Sequence, residues 1–156
     1  FGNSLYIFDS SNGKILRYTD PLARNAEPSA WLEPQFEEKT KGANDFAIDG
    51  HIWIVHDGVE VQRYFKGSYS ESISLDLFPE TKGISRIVTN SNLPYLYLLD
   101  PSENRLIILT KFGDVVKQYQ SPKFSNLTDF VVAKGGSVVY LLNGNSIYSI
   151  TDIPEP

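Results

Sequence analysis

The chain has 156 residues, 41% hydrophobic and 13% aromatic, enough to bury a core and too apolar for a disordered segment. Its formal net charge is −5 and no Lys/Arg cluster exceeds two residues, so the counterion-release term that drives nucleic-acid binding has no source. Cysteine is absent and no apolar run approaches the ~20 residues of a membrane helix, which excludes disulfides, thiol chemistry, Cys-based zinc sites and membrane insertion by a helix.

The chain begins at Phe1, with neither Met nor a signal peptide, which predicts a processed or excised piece of a longer polypeptide. Its first apolar run is Leu5-Tyr6-Ile7-Phe8, followed by the turn Asp9-Ser10-Ser11-Asn12-Gly13 and the strand-like Ile15-Leu16-Arg17-Tyr18. A weaker strand is expected near Ala30-Trp31-Leu32. Residues 21–41 have the only helical leaning, but Pro28 and Pro34 predict an irregular loop there. The second stretch runs through Asp45-Phe46-Ala47-Ile48, the turn Asp49-Gly50 and Ile52-Trp53-Ile54-Val55. It continues through the turn Asp57-Gly58, Val61-Gln62-Arg63-Tyr64 and the alternating segment 72–77. The third carries Arg86-Ile87-Val88-Thr89, Leu96-Tyr97-Leu98-Leu99, a turn at 100–104, Leu106-Ile107-Ile108-Leu109, the turn Phe112-Gly113 and residues 115–119. The fourth carries Asp129-Phe130-Val131-Val132, Val139-Tyr140-Leu141-Leu142, a turn at 143–145 and Ile147-Tyr148-Ser149-Ile150.

These stretches align on one aromatic position, occupied by Tyr6, Trp53, Tyr97 and Tyr140 at spacings of 47, 44 and 43 residues. Each aromatic run is apolar on both faces and must be covered on both sides. The last strand of the second copy alternates and meets solvent on one face. A meander of ~40–45 residues, buried at its inner strands and wetter outside, is a propeller blade. The predicted fold is therefore all-β: a β-propeller or partial propeller of four blade-like repeats, each a four-stranded antiparallel meander, at about 1–44, 45–85, 86–128 and 129–156. The first copy lacks its first strand and the fourth stops after its third. Four repeats could close as a small ring or belong to a ring of six to eight blades, and both readings stay open.

The third copy, from Tyr97-Leu98-Leu99-Asp100 through Asn104-Arg105-Leu106 to Gly113, resembles the repeated phrase of NHL-like, six-bladed-type propellers. Residues 5–18 match it more loosely, the second and fourth copies have shorter turns, and the Asn-Arg pair occurs only once. The chain is also similar, more weakly, to propeller segments attached to bacterial membrane-linked PPM-type phosphatase-like proteins. The resemblance implies a fold rather than an activity. With the second likeness, it implies a sensor or scaffold segment of a larger bacterial protein in an extracytoplasmic setting.

Tests for chemistry return little. His51 and His56, the two histidines, lie five apart on a strand and so face opposite sides, which removes a shared metal. The segment from Asp9 to Asp20 lacks the ligand spacing of a calcium loop, and its Asp and Asn are turn residues. The first strands that would line a channel carry Asp45, Asp49, Arg86, Asn90, Asp129 and Lys134, a mixed-sign set poorly suited to caging a cation. Asn126-Leu127-Thr128 is a lone glycosylation sequon. Trp31, Phe36, Tyr69, Phe78 and Phe124 lie outside the repeated core positions, and packing between blades is their first expected role, ligand contact the second.

The reading favours a non-enzymatic module that binds a protein or small ligand, without cofactor or metal. A metal-assisted hydrolase or lyase of the propeller class, or a lectin-like propeller, is the alternative. In a meander, loops between second and third strands share a face with the loops between blades. That face is expected to carry the partner site, at Glu37, Glu38, Lys41, Asp57, Glu80, Lys82, Asp100 and Glu103. Lys66, Lys111 and Phe112 lie on the opposite face.

Overall fold

The computed structural model describes residues 1–56 and 60–155. It is all-β, with four separate antiparallel sheets of three or four strands. Blade 1 holds β1 (Leu5–Asp9), β2 (Lys14–Tyr18) and β3 (Ser29–Ala30). Blade 2 is the meander β4 (Asp45–Ile48), β5 (Ile52–Val55), β6 (Glu60–Phe65) and β7 (Ser68–Ser74), and blade 3 the meander β8 (Arg86–Val88), β9 (Tyr95–Asp100), β10 (Arg105–Thr110) and β11 (Val115–Gln120). Blade 4 holds β12 (Leu127–Ala133), β13 (Val138–Asn143) and β14 (Ser146–Ile150). No helix among the described residues is long and apolar enough to cross a membrane.

The blade register follows from which side chains each second strand turns to its neighbours. In β5, Ile52 and Ile54 pack toward blade 1, while Trp53 and Val55 pack toward blade 3. In β9, Leu96 and Leu98 meet blade 2, while Tyr97 and Leu99 meet blade 4. Period-two alternation thus assigns alternate residues to opposite junctions. Tyr6 and Tyr140 occupy the same position as Trp53 and Tyr97: Tyr6 packs in the cluster between blades 1 and 2, and Tyr140 points away from blade 3. Three apolar clusters result, one per junction, instead of a single central core.

Two glycines set how closely blades approach. Gly67 and Gly113 occupy the tips of the β6–β7 and β10–β11 hairpins at φ of +88° and +101°. A Cβ at Gly67 would lie 2.5 Å from the Trp31 carbonyl oxygen of blade 1, and one at Gly113 would lie 2.3 Å from Ile73 of blade 2. Each hairpin tip therefore docks against the outer part of the preceding blade, and only glycine combines the left-handed turn with that contact.

The structure corrects three details. Residues 34–40 are not an irregular loop: Pro34–Phe36 form a 3-10 turn that runs into the single α-helical turn α1 (Glu37–Thr40). Pro34 stands in the first turn, where its missing N–H costs nothing. Thr40 locks this turn down by donating its hydroxyl to the Gly13 carbonyl at 2.6 Å. The outer strand of blade 2 begins at Ser68, four residues before the alternating segment, because the hairpin at Lys66-Gly67 lets β7 pair with β6 immediately. Finally, Phe78 is 90% exposed, whereas Phe36 and Phe124, which precede and follow it at spacings of 42 and 46 residues, pack into the clusters of their blades.

Candidate functional site

Three places gather polar side chains: the inner edge of the arc, the end of the blades opposite the loops, and the loop face. The first strands β4, β8 and β12 lie side by side at the inner edge. Asp45, Arg86 and Asp129 occupy equivalent positions there, one per blade, at spacings of 41 and 43 residues. Arg86 bridges the other two: its Nε donates to Asp45 Oδ2 at 3.1 Å and its Nη1 meets Asp129 Oδ1 at 2.9 Å. Asp45 Oδ2 also accepts the Ile87 backbone N–H at 3.0 Å, and Asp129 Oδ1 accepts that of Phe130 at 2.8 Å. One guanidinium thus pairs with both of these carboxylates, leaving the trio one net negative charge, and joins three blades. No group of three metal-ligating side chains occurs among the described residues.

A second polar knot ties blade 2 to blade 3 on the opposite end. Asp49 is nearly buried, and its Oδ2 meets Lys111 Nζ at 2.6 Å. Its Oδ1 accepts from Trp53 Nε1 at 2.9 Å and from the His51 backbone N–H at 3.0 Å. Burial pushes the Asp49 carboxyl up, but the hydrogen bonds from Lys111, Trp53 and His51 outweigh it and leave the group below its ordinary value. Lys111, placed by sequence on the face opposite the loops, is a structural cation here, and Asn90 accepts from the same Nζ through its carbonyl at 3.4 Å. His51 packs against the rings of Phe65 and Trp53 in tilted contacts at centroid distances of 5.0 and 6.0 Å, with its Nδ1 3.6 Å from Asp49 Oδ1.

The loop face holds the residues expected to meet a partner, in two groups. Glu37, Glu38 and Lys41 share the α1 turn, where Glu38 and Lys41 form a loose pair at 3.8 Å with Glu38 87% exposed. Beside them Lys39 Nζ sits 3.6 Å from the centre of the Tyr69 ring, so one cation of this turn is held by an aromatic face. Glu80, Lys82 and Glu103 form the second group, on blade 3. Glu80 and Lys82 are exposed and Glu103 is half-buried. The Lys82 backbone N–H donates to Ser102 Oγ at 3.2 Å, which fixes the connection between blades 2 and 3 beside the β9–β10 turn. Asp57 lies outside the described residues.

Asp100 departs from the expected set. It is fully buried, paired with an equally buried Arg105 at 2.9 Å, and its Oδ1 accepts from Ser102 Oγ and the Glu103 N–H. Arg105 also donates to Gln118 Oε1 at 2.7 Å and to the Pro79 carbonyl at 2.6 Å. The motif residues Asp100 and Arg105 therefore build the corner of blade 3 and present nothing to a ligand. Their spacing marked them as a turn; burial on all sides was visible only once β11 and the connection through Pro79 were in place.

Most of the aromatics singled out from the sequence serve packing. Trp31 meets Tyr6 edge-on at 6.4 Å, Phe36 meets Tyr64 and Tyr69 at 6.4 and 6.3 Å, and Phe124 meets Tyr148 at 5.5 Å. Phe78 is 90% exposed and follows Leu77, which with residues 74–76 and Glu80 lines a shallow groove of about 490 Å3. It is the one large aromatic of the loop face that offers itself to solvent among the described residues.

No family model matches the chain, and no curated protein matches it. Solved structures do. The chain is similar to virginiamycin B lyase from Staphylococcus aureus with a TM-score of 0.65 and 15% identity, over 96% of this chain and 49% of that one. It is similar to a chain of a nidogen/laminin complex with a TM-score of 0.64 and 16% identity, over 94% of this chain and 56% of that one. A structure of BBS1N in complex with ARL6DN matches with a TM-score of 0.60 and 13% identity, over 97% and 47% of the respective chains. The sheets are thus blades of the β-propeller type. The chain spans about half the length of these matched propeller chains. At such identities the likeness concerns the fold, which carries a lyase in one case and protein complexes in the others.

Proposed function

We propose that this chain is a non-catalytic binding segment of the β-propeller type, which engages a protein or small ligand through its loop face as a sensor or scaffold element of a larger bacterial protein. The observation that carries this reading is the Arg86 clamp. A cation-assisted hydrolase or lyase needs carboxylates converging on an open position at the inner edge, and here Asp45 and Asp129 are both engaged by one guanidinium. The loop face, by contrast, offers Glu37, Glu38, Lys41, Glu80 and Lys82 as side chains whose removal leaves the blade junctions intact, with the exposed Phe78 ring, two residues before Glu80, as an apolar anchor.

The test has two arms. Calcium or magnesium at millimolar concentration should leave the melting temperature unchanged. A saturable rise of several degrees that disappears in Asp129→Asn would favour the lyase-like reading instead; ligand at 100 times its Kd contributes about 2.7 kcal/mol. In the second arm, proteins retained from the native cell extract by immobilised wild-type chain are compared with those retained by two variants. A partner lost with Glu37→Ala/Glu38→Ala/Lys41→Ala and kept with Lys66→Ala/Phe112→Ala supports the loop face, and the reverse pattern assigns binding to the other end.

A further inference from the structure

The connection that leaves blade 2 for blade 3 is pinned at every second residue. Ile73, Leu75 and Leu77 are buried and belong to the apolar cluster between the two blades. Beyond them the Pro79 carbonyl accepts from the buried Arg105 at 2.6 Å. Thr81 is buried, and its Oγ1 accepts the Gly83 N–H at 3.1 Å. The residues in between, Ser74, Asp76, Phe78, Glu80 and Lys82, are all exposed, Phe78 at 90%. A period-two pattern that begins in β7 thus continues past the end of that strand at Ser74. Its buried half is scaffold, and its outer half is a row of free side chains on a fixed backbone. Asp76 and Glu80 both line the shallow groove, and no cation lines it with them. Among the described residues neither carboxylate has an ion pair or a hydrogen bond, whereas Asp45, Asp49, Asp100 and Asp129 are all engaged.

We propose that this row is the recognition strip of the loop face and takes a cationic peptide segment, with Lys or Arg seated on Asp76 and Glu80 and an apolar side chain on the Phe78 ring. The inference rests on the loop-face reading above and names the chemistry of its partner. Charge selects the occupant. Two uncompensated carboxylates in one groove attract an ammonium or guanidinium group, which forms charge-assisted hydrogen bonds with them, and they repel an anionic lipid surface or an acidic peptide. A bare metal ion fits poorly, because no third ligating side chain joins the pair among the described residues. Phe78 stands between the two in the sequence and adds an apolar face that also attracts a cation. Lys82, at the end of the row, is exposed but does not line the groove. The chain's net charge of −5 has the sign that steers such a segment toward it. The pinned backbone completes the case, since a strip ordered before binding loses little entropy on capture.

Peptide titration of the isotope-labelled chain, followed by the shifts of its backbone amides, tests the proposal. The probe is a pool of blocked pentapeptides with Lys or Arg at both ends, Leu, Phe or Tyr in the middle and Ser elsewhere. The control pool carries Asp or Glu in place of Lys and Arg. The cationic pool should shift the amides of residues 74–82 saturably by about 2 mM, and the acidic pool should not. Asp76→Asn/Glu80→Gln should weaken binding about tenfold and remove most of its salt dependence. Phe78→Ala should weaken it about threefold to tenfold. Both variants should keep the wild-type melting temperature, and Glu37→Gln/Glu38→Gln should bind as wild type does. Cationic peptides that shift no amide of this row, or that bind Asp76→Asn/Glu80→Gln as tightly as wild type, overturn the proposal. Equal shifts from the acidic pool also overturn it, since capture would then be apolar alone. The loop-face reading is separable: shifts gathered on the α1 turn would sink this row and keep that reading, and shifts gathered at Lys66 and Phe112 would sink both.

Discussion

Blade 3 and blade 1 are built on nearly the same phrase, Leu96-Tyr97-Leu98-Leu99 against Leu5-Tyr6-Ile7-Phe8, yet their second strands live in different surroundings. All six residues of β9 are buried, while β1 alternates between exposed and half-buried positions. The difference lies in what flanks them: blade 3 has a neighbour on both sides, blade 1 on one. The comparison teaches that apolar character on both faces of a strand records a requirement for cover, and that the same residues contribute very different stability depending on whether the cover is present.

The largest expected contrast lies between two arginines, Arg105 at the corner of blade 3 and Arg17 along β2 of blade 1, opposite Tyr6. In blade 3, Arg105→Ala leaves the Asp100 carboxylate buried without its counter-charge and strips donors from Gln118 and the Pro79 carbonyl. A loss of about 3–5 kcal/mol is expected, read as a drop in the urea midpoint at unchanged slope. In blade 1, Arg17 is half-buried, with a hydrogen bond to Ser4 Oγ at 3.1 Å and a ring contact with Tyr6. Arg17→Ala should cost about 1 kcal/mol or less. Equal losses at the two arginines would erase the distinction between the blades.

Next come the strands themselves. Leu98→Ala opens a cavity between blades 2 and 3 and should cost about 2–5 kcal/mol. Ile7→Ala, at the equivalent position of blade 1, removes a side chain already 43% exposed and should cost about 1 kcal/mol when measured on monomeric protein. A similar cost for both, under conditions where the chain is monomeric, would mean that something covers blade 1 within one chain.

The same contrast explains what could be read from the sequence. The repeat, its register on Tyr6, Trp53, Tyr97 and Tyr140, and nearly all strands were legible because period-two alternation and Asp/Asn turns are local signals. Asp45, Arg86 and Asp129 were legible as a mixed-sign set at the inner edge, since they recur at blade spacing. Their pairing was not, because reach across blades depends on how closely β4, β8 and β12 approach. Asp100 was misplaced on the surface for a related reason. Its turn is written in the sequence, but Gln118 and Pro79, which enclose its partner Arg105, come from a strand 13 residues later and a connection 26 residues earlier. The short α1 turn was missed because Pro34, read as a breaker, is equally suited to start a helix.

A third, smaller effect tests the polar knot between blades 2 and 3, which blade 1 lacks on its open side. The Asp49 carboxyl is held below its ordinary value of 3.8, so its contribution is fully present above that value and is lost as pH falls through the lower, folded one. Asp49→Asn should therefore lower stability at pH 6 by about 1–3 kcal/mol, by weakening the charge-assisted bond to Lys111. The gap between variant and wild type should start to shrink as pH falls below 4 and close only below the lowered folded value, where the wild-type carboxyl is also neutral. Melting curves between pH 6 and pH 2.5 read this directly. A gap that stays constant or widens toward low pH would show that the charge of Asp49 plays no part.

The smallest effect is expected on the loop face, and its smallness carries information. Glu38 and Lys41 are exposed at 87% and 53% and separated by 3.8 Å, so their attraction is largely spent against solvent screening. The structural work of the same turn falls to Thr40, whose buried hydroxyl bonds to the Gly13 carbonyl, and to Gly13, where a Cβ would lie 1.9 Å from the Glu37 carbonyl oxygen. Glu38→Gln and Lys41→Met, alone or together, should thus change stability by less than about 0.5 kcal/mol, with no coupling resolved in a double-mutant cycle. Thr40→Val should cost about 1–3 kcal/mol, because the Gly13 carbonyl loses its buried donor. If Glu38 and Lys41 instead proved as costly as Thr40, these charges would belong to the scaffold, and the loop face would lose its claim as the surface free to engage a partner.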